Sequence, residues 1–288
     1  MAGALIMDVA YGIDVLPIDD PYIRLAKAAL QGLALATLPG AFLVDTIPWL
    51  KYVPSWVPGA EFKRKATYWG KFALDLVEIP FAEAKRRMVC RASLQITLAS
   101  LIRLEILGTA EDSVTSLSLR ALDESNDPGR GAREEVAKAV AANIYAGGSD
   151  TTISALETFV LAMIANPEAQ RRAQAEIDSV VGNDRLPNFT DEASLPYVSA
   201  IVKEVLRWRV VTPIAFPHRV TVEDEYRGYR IPVGSQVIGN VWAILHDETV
   251  YPNPETFNPE RFLLDGKLNP AIRDPELVAF GFGRRYAL

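Results

Sequence analysis

One long helical pattern, residues 132–165, constrains this chain more than any other stretch. Apolar side chains recur there at helical spacing until Asn166-Pro167 closes the run. Inside it stands Ala146-Gly147-Gly148-Ser149-Asp150-Thr151-Thr152. Each glycine in a helix interior costs about 1 kcal/mol relative to alanine. Paired glycines loosen the local hydrogen-bond ladder and clear side chains away, so that another group can approach the backbone. An acid and a hydroxyl follow at once, and Asp150 with Thr151 can relay protons from solvent to something resting over the gap. The same seven residues also suit a helix packed tightly on a neighbour with Asp150 solvated, and both readings stand at this point.

Around this pattern the first two thirds of the chain read as helix after helix. Asp19-Asp20-Pro21 supplies caps and a first-turn proline for a helix to about residue 36. Residues 61–87 have helical spacing, with Pro80 expected to kink or break them. Further helices are expected at 111–124, 167–182 and 195–209, the last opened by Pro196. After Arg209 the texture changes. Residues 220–222, 230–232 and 236–238 are short β-rich runs set off by Gly228 and Gly234, which suggests a small antiparallel sheet. Beyond Tyr251 the chain is a meander punctuated by Pro252, Pro254, Pro259, Pro270 and Pro275.

Composition excludes several functions. A formal net charge of −6 argues against a nucleic-acid partner. Two histidines, His218 and His246, and one cysteine, Cys90, are too few for a protein-only zinc or iron–sulfur site. One cysteine also excludes an intrachain disulfide. No signal peptide or membrane anchor is visible at the start, and the longest apolar stretch, 28–44, is interrupted by Gln31 and Pro39-Gly40. It reads as a buried helix rather than a membrane span.

Two charged motifs belong together. In Lys203-Glu204-Val205-Leu206-Arg207, Glu204 and Arg207 stand at i, i+3 and share a helix face. Such pairs usually lie in solvent and contribute little. The pair gains force from Asn258-Pro259-Glu260-Arg261-Phe262, where Arg261 sits in a meander that needs an anchor. A buried glutamate between two arginines would fix it through bidentate guanidinium contacts. The chain then ends Phe280-Gly281-Phe282-Gly283-Arg284-Arg285-Tyr286-Ala287-Leu288.

The ordered set Gly-Gly-Ser-Asp-Thr-Thr, Glu-x-x-Arg, Pro-Glu-Arg-Phe and Phe-Gly-x-Gly-x-Arg resembles the C-terminal half of a cytochrome P450. Phe216-Pro217-His218-Arg219 and the 228–234 run fall where that family has them. Each motif alone is weakly specific; the order is strongly so. The resemblance implies a mainly α fold with a small antiparallel β-sheet, one partial domain over 1–288. It implies a haem cofactor and a monooxygenase that activates O₂, takes two electrons from an NADPH-cytochrome P450 reductase-type donor, and inserts one oxygen atom into an apolar organic substrate. By position it assigns Asp150 and Thr151 to proton delivery and Gly147 and Gly148 to the O₂ groove. It assigns Glu204, Arg207 and Arg261 to a structural triad behind the haem. His218 or Arg219, and Arg285, would hold the propionates, with Phe280 and Gly283 in the haem-binding loop; His218 reads equally as a satisfied loop histidine. Val211, Ile214 and Ala215 would line the substrate pocket. A full-length member is expected on the cytoplasmic side of the endoplasmic reticulum membrane, whereas this chain, with no anchor, is expected to be soluble or aggregated.

Three departures from the family pattern shape the expectation. The family's cysteine ligand falls on Ala287, and alanine cannot donate to a metal, so the chain as written is expected to be inactive. A full-length member carries further helices ahead of the position of Met1, whose loss would leave apolar surface uncovered. Residues 89–107 read as an insertion, although 94–107 also show helical spacing. Val89-Cys90 and the junction at Arg285-Tyr286-Ala287 can both be encoded across GTATGC, which resembles an intron's 5′ splice donor, so both read as translated introns. The alternative function is a non-catalytic P450 fragment or pseudoenzyme that keeps only a binding pocket.

Overall fold

The computed structural model describes residues 2–38, 40–98, 112–124 and 128–283, with backbone alone for 89–98. The architecture is mostly helical with small antiparallel pairings, and it divides into two compact units, Met1–Thr152 and Ile153–Leu288. The boundary falls within a single long helix, α6.

The first unit contains α1 (Ala2–Tyr11), α2 (Pro21–Ala36), the short α3 (Leu43–Thr46), α4 (Glu61–Leu98), α5 (Val114–Glu124) and the beginning of α6 (Arg130–Ala165). Helix α2 starts where its sequence says it should. The buried Asp20 carboxylate accepts hydrogen bonds from the backbone N–H groups of Tyr22 at 2.8 Å and Ile23 at 3.1 Å, and also from Leu16 at 2.8 Å. Donors that no carbonyl could reach are thus satisfied by a charged acceptor. Helix α1 had no periodicity strong enough to predict it. Met7, Ala10 and Tyr11 are buried in one cluster with Leu76, Phe81, Leu119 and Tyr145, and Thr115 of α5 donates to the Ala10 carbonyl at 2.8 Å. Tertiary burial stabilises this short helix more than its own propensity can.

Pro80 was expected to kink or break its helix, yet α4 runs through it without interruption. Proline removes one ladder donor and crowds the carbonyl four residues back. Here Pro80 is fully buried, and Leu76, Phe81 and Ala84 of the same helix belong to the core, so burial offsets the lost bond. The 89–107 segment lies only partly within the described residues, as helical backbone to Leu98.

In the second unit, α6 continues to Ala165 and is followed by α7 (Pro167–Val180) and α8 (Pro196–Trp208). No side chain of its own flank caps α8. Glu176 of α7 does so from a distance, accepting from Tyr197 N at 3.0 Å and Val198 N at 2.9 Å. A carboxylate at a helix N-terminus also meets the positive end of the helix dipole. Beyond α8 the small antiparallel β-structure expected is present, as three two-stranded pairs. These are β1 (His218–Arg219) with β4 (Gln236–Val237), β2 (Asp224–Tyr226) with β3 (Tyr229–Ile231), and β5 (Leu263–Leu264) with β6 (Lys267–Leu268). Residues 220–222, expected as strand, are the connection from β1 to β2. The β2–β3 turn needs φ > 0 at both Arg227 (51°) and Gly228 (82°), which is the two-residue hairpin geometry. Short helices α9 (Val241–Leu245) and α10 (Glu276–Ala279) complete the unit. Ala200, Val241, Leu245, Tyr251, Phe262 and Val278 pack together as its second core. Among the described residues no helix is long and apolar enough to cross a membrane.

Candidate functional site

The charged motifs of α8 and the meander meet in the interior. Glu204 and Arg207 are both fully buried. Arg207 donates to Glu204 through Nε at 2.7 Å and Nη2 at 2.9 Å, a bidentate contact. Arg261 reaches the same carboxylate through Nε at 3.1 Å and 3.3 Å, and Asn258 N donates to Glu204 Oε1 at 2.7 Å. One carboxylate faces two guanidinium groups, so unpaired positive charge remains. Backbone carbonyls absorb it. Arg207 donates to Leu245 O (3.2 Å) and Pro254 O (2.8 Å), and Arg261 to Pro252 O (2.9 Å) and Thr256 O (3.2 Å). The prolines that keep 251–259 out of regular structure leave these carbonyls free to accept. Tyr251, whose ring lies 5.6 Å from the Arg207 guanidinium carbon, donates its hydroxyl to Arg273 O at 2.8 Å. Burial pushes its phenol up to about 12.

On α6 the two glycines take different surroundings. A Cβ on Gly148 would stand 3.0 Å from Ile6 Cδ1, so α1 lies close against that side. A Cβ on Gly147 would meet nothing within 4 Å, so open space lies over this residue. One turn on, Thr151 donates its hydroxyl to the Gly147 carbonyl, and Asp150 is exposed. Thr151 bonds the backbone of the residue whose side chain is missing. Ser149 points the other way and is buried, with its hydroxyl unpartnered among the described residues.

The remaining candidates lie in the second unit. His218 and Arg219 are exposed on β1, paired to Val237 and Gln236. Val211 is half-buried and Ile214 exposed, while Ala215 is buried in the second core, donating its N–H to Gly239 O at 3.0 Å. Phe280 follows α10 and is exposed. Gly281 (φ 101°) and Gly283 (φ 69°) adopt a backbone that residues with a Cβ rarely reach. Between them Phe282 packs onto Gly239, where an added Cβ would stand 2.5 Å from the ring. Sequence reasoning missed this contact, since nothing in the local pattern marks Gly239 as a seat for a ring 43 residues away. Arg285 and Ala287 lie outside the described residues.

A haem held by a thiolate needs a deprotonated sulfur on the iron. At that position the sequence has Ala287, a methyl group. A methyl group is no donor, so the residue at that sequence position does not fit a thiolate-held haem iron.

Comparison with known proteins places these features in one family. The cytochrome P450 family profile matches residues 3–286. The chain is 46% identical over 285 residues to cytochrome P450 monooxygenase 98 of Postia placenta, covering 99% of this chain and 51% of that protein. It is 44% identical over 284 residues to tryptamine 4-monooxygenase of Psilocybe cyanescens, covering 98% of this chain and 52% of that protein. The chain therefore spans about half the length of the curated relatives it matches, and over that span, from α1 to the glycine-rich loop after α10, it belongs to the cytochrome P450 family.

Proposed function

We propose that the activity to which this fold belongs is haem-dependent monooxygenation: one atom of O₂ enters an apolar organic substrate, and two electrons arrive from a reductase. The observation that carries this reading is the open space over Gly147, with the Thr151 hydroxyl on the Gly147 carbonyl and the Asp150 carboxylate beside it. A hydroxyl one residue from an exposed carboxylate offers a short proton path toward the open space. Glu204, Arg207 and Arg261 act at a distance from this chemistry. They fasten the meander to α8, and so fix the platform from which the glycine-rich loop at 280–283 departs. Arg219 and Arg285 supply cationic donors suited to carboxylates, His218 supplies an imidazole, and Val211 and Ile214 supply an apolar lining. The relative's name points to an aromatic amine as one substrate class that the same fold accommodates.

For the chain as written, the same reading assigns no turnover. Haem, when bound in this family, supplies the iron that activates O₂, and Ala287 offers that iron no donor. Over the span it shares with its relatives, the chain as written then offers the iron no sulfur at that position. Titration of the chain with hemin, followed by reduction under carbon monoxide, tests this. A spectrum without a thiolate-type Soret band is expected. A thiolate-type band would mean that another sulfur reaches the iron, and would overturn the assignment.

A further inference from the structure

We propose that Thr221, in the connection from β1 to β2, is a phosphorylation site for an acidic-directed protein kinase, and that its phosphate takes hold of the Arg219 guanidinium. Such a kinase transfers the γ-phosphoryl group of ATP. The Thr221 hydroxyl oxygen bonds to the γ-phosphorus, the bond to the β–γ bridging oxygen breaks, ADP leaves, and the hydroxyl proton passes to the kinase's own catalytic base. The site itself needs no haem; only its consequence for cofactor binding rests on the proposed role of Arg219 as a donor to carboxylates.

The residues from Val220 onward read Val220-Thr221-Val222-Glu223-Asp224-Glu225, and no other Ser or Thr of the chain is followed by acids two, three and four residues on. A basic substrate cleft selects such a run by charge and penalises segments without it. All three acids are exposed, but they are unequally available. Arg230, opposite Glu225 on the β2–β3 ladder, donates to Glu223 at 2.6 Å. Asp224 and Glu225 make no ion pair among the described residues and keep their charge for a partner.

The backbone suits the same use, because a kinase holds its substrate extended with the hydroxyl clear of competing bonds. Residues 221–223 belong to no helix or strand, and every residue from 221 to 229 is exposed. The hydroxyls of Thr67 and Thr151 are held by carbonyls one helical turn back, and that of Thr249 by Asp247. The Thr221 hydroxyl has no such partner among the described residues.

The link to Arg219 follows from strand geometry. Arg219 pairs with Gln236, and Val220 continues the ladder, accepting from Gly234 N at 2.9 Å and donating to Ser235 O at 2.9 Å. Side chains two residues apart on extended backbone share a face, so Arg219 and Thr221 are neighbours there. Arg219 is exposed and makes no ion pair among the described residues. A phosphate brings about −1.5 to −2 charge and three acceptor oxygens, which suit the guanidinium fork. A Thr221 phosphate therefore occupies the cation that a haem propionate would otherwise use.

The test is incubation of the full chain with casein kinase II and ATP, then trypsin digestion and mass spectrometry. Cleavage after Arg219 and Arg227 releases a peptide in which Thr221 is the one Ser or Thr. The expected result is a phosphate on that peptide in the unsubstituted chain and in Thr221→Ser, and none in Thr221→Ala. Neutralising two acids together, Asp224→Asn with Glu225→Gln, should slow transfer by about tenfold, equivalent to one lost charge-assisted hydrogen bond. In the phosphorylated chain, a ³¹P titration should show the second ionisation of the phosphate moving up in Arg219→Gln, because no guanidinium then favours the dianion. Circular dichroism should be unchanged in every variant, since each substituted residue is exposed. A Thr221 peptide that stays unmodified, or an unchanged rate once both acids are neutralised, overturns the site. An unmoved phosphate titration in Arg219→Gln overturns the contact with Arg219.

Discussion

The meander behind α8 and the crossing of α2 with α4 achieve close approach by opposite means. At the meander, two guanidinium groups and one carboxylate are driven into the interior, and every charge is matched by an atom that wants it. At the α2–α4 crossing, approach comes from what is missing: Gly32 has no Cβ where the Trp69 ring must lie. The first arrangement is specific because a buried charge tolerates no vacancy. The second is permissive, since a helix pair lined with alanine and glycine packs closely at one point and leaves a cleft beside it.

The largest effect is expected where the comparison is sharpest. Glu204→Gln preserves shape while removing the carboxylate shared by Arg207 and Arg261. Breaking a buried pair by deleting one partner costs about 3–5 kcal/mol, because the surviving charge stays buried without compensation. Denaturant titration should show that loss. A change below about 1 kcal/mol would mean that the carbonyls of Leu245, Pro252 and Pro254 hold the arginines unaided.

How much of this was legible in the sequence differs between the two regions for the same reason. Glu204 and Arg207 announce themselves by i, i+3 spacing, and Arg261 by its place among prolines, because charged residues in apolar surroundings stand out as letters. Their carbonyl partners do not, since every residue has a carbonyl and only the folded path of 245–256 decides which ones face inward. Glu176 likewise carries no local signal for its role, because it caps α8 from 21 residues away. At α2 and α4 the informative residues are alanines and glycines, whose sequence signal is near silence. Pro80 does not break α4, and it is buried in a helix whose neighbouring turns carry the core residues Leu76, Phe81 and Ala84. The adjacent pair Gly147-Gly148 was read as a single groove. Only Gly147 lies under open space, because α1, itself unpredicted, brings Ile6 against Gly148.

Glycine-to-alanine exchange on the two sides of the α2–α4 cleft separates close approach from empty room. Gly32→Ala gains about 1 kcal/mol of helix propensity but drives a methyl against the root of the Trp69 side chain, which cannot swing aside as a ring tip could. Overpacking of this kind costs about 1–3 kcal/mol, so net destabilisation with a blue- or red-shifted Trp69 emission is expected. Gly70→Ala, on the facing helix, carries the propensity gain with no opposing contact, and stabilisation of about 1 kcal/mol is expected. Thermal unfolding of the two variants in parallel checks the sign of each. Stabilisation by both would mean that Trp69 is not clamped on α2.

The smallest effect concerns charge at the surface of α4 and shows how far the meander's rule extends. Glu83 accepts from Arg86 at 2.7 Å and 2.8 Å and from Arg87 at 2.9 Å. It thus repeats, one helix face away from the core, the pattern of one carboxylate between two guanidinium groups. Those bonds hold its carboxyl down to about 2. A carboxylate whose folded pKa lies below its unfolded value, near 4.3, contributes stability that is complete above that unfolded value. The contribution falls away as pH drops from about 5 toward 2. Glu83→Gln should therefore lower stability slightly at pH 7 and converge with the unsubstituted chain near pH 2. Solvent reaches Glu83 and screens its partners as it cannot screen those of Glu204, so the difference at pH 7 should be a small fraction of the Glu204→Gln loss. It should also shrink on adding salt, to which the buried cluster should be nearly indifferent. Equal salt sensitivity in the two variants would mean that water enters the space behind α8, and that burial is not what separates the two clusters.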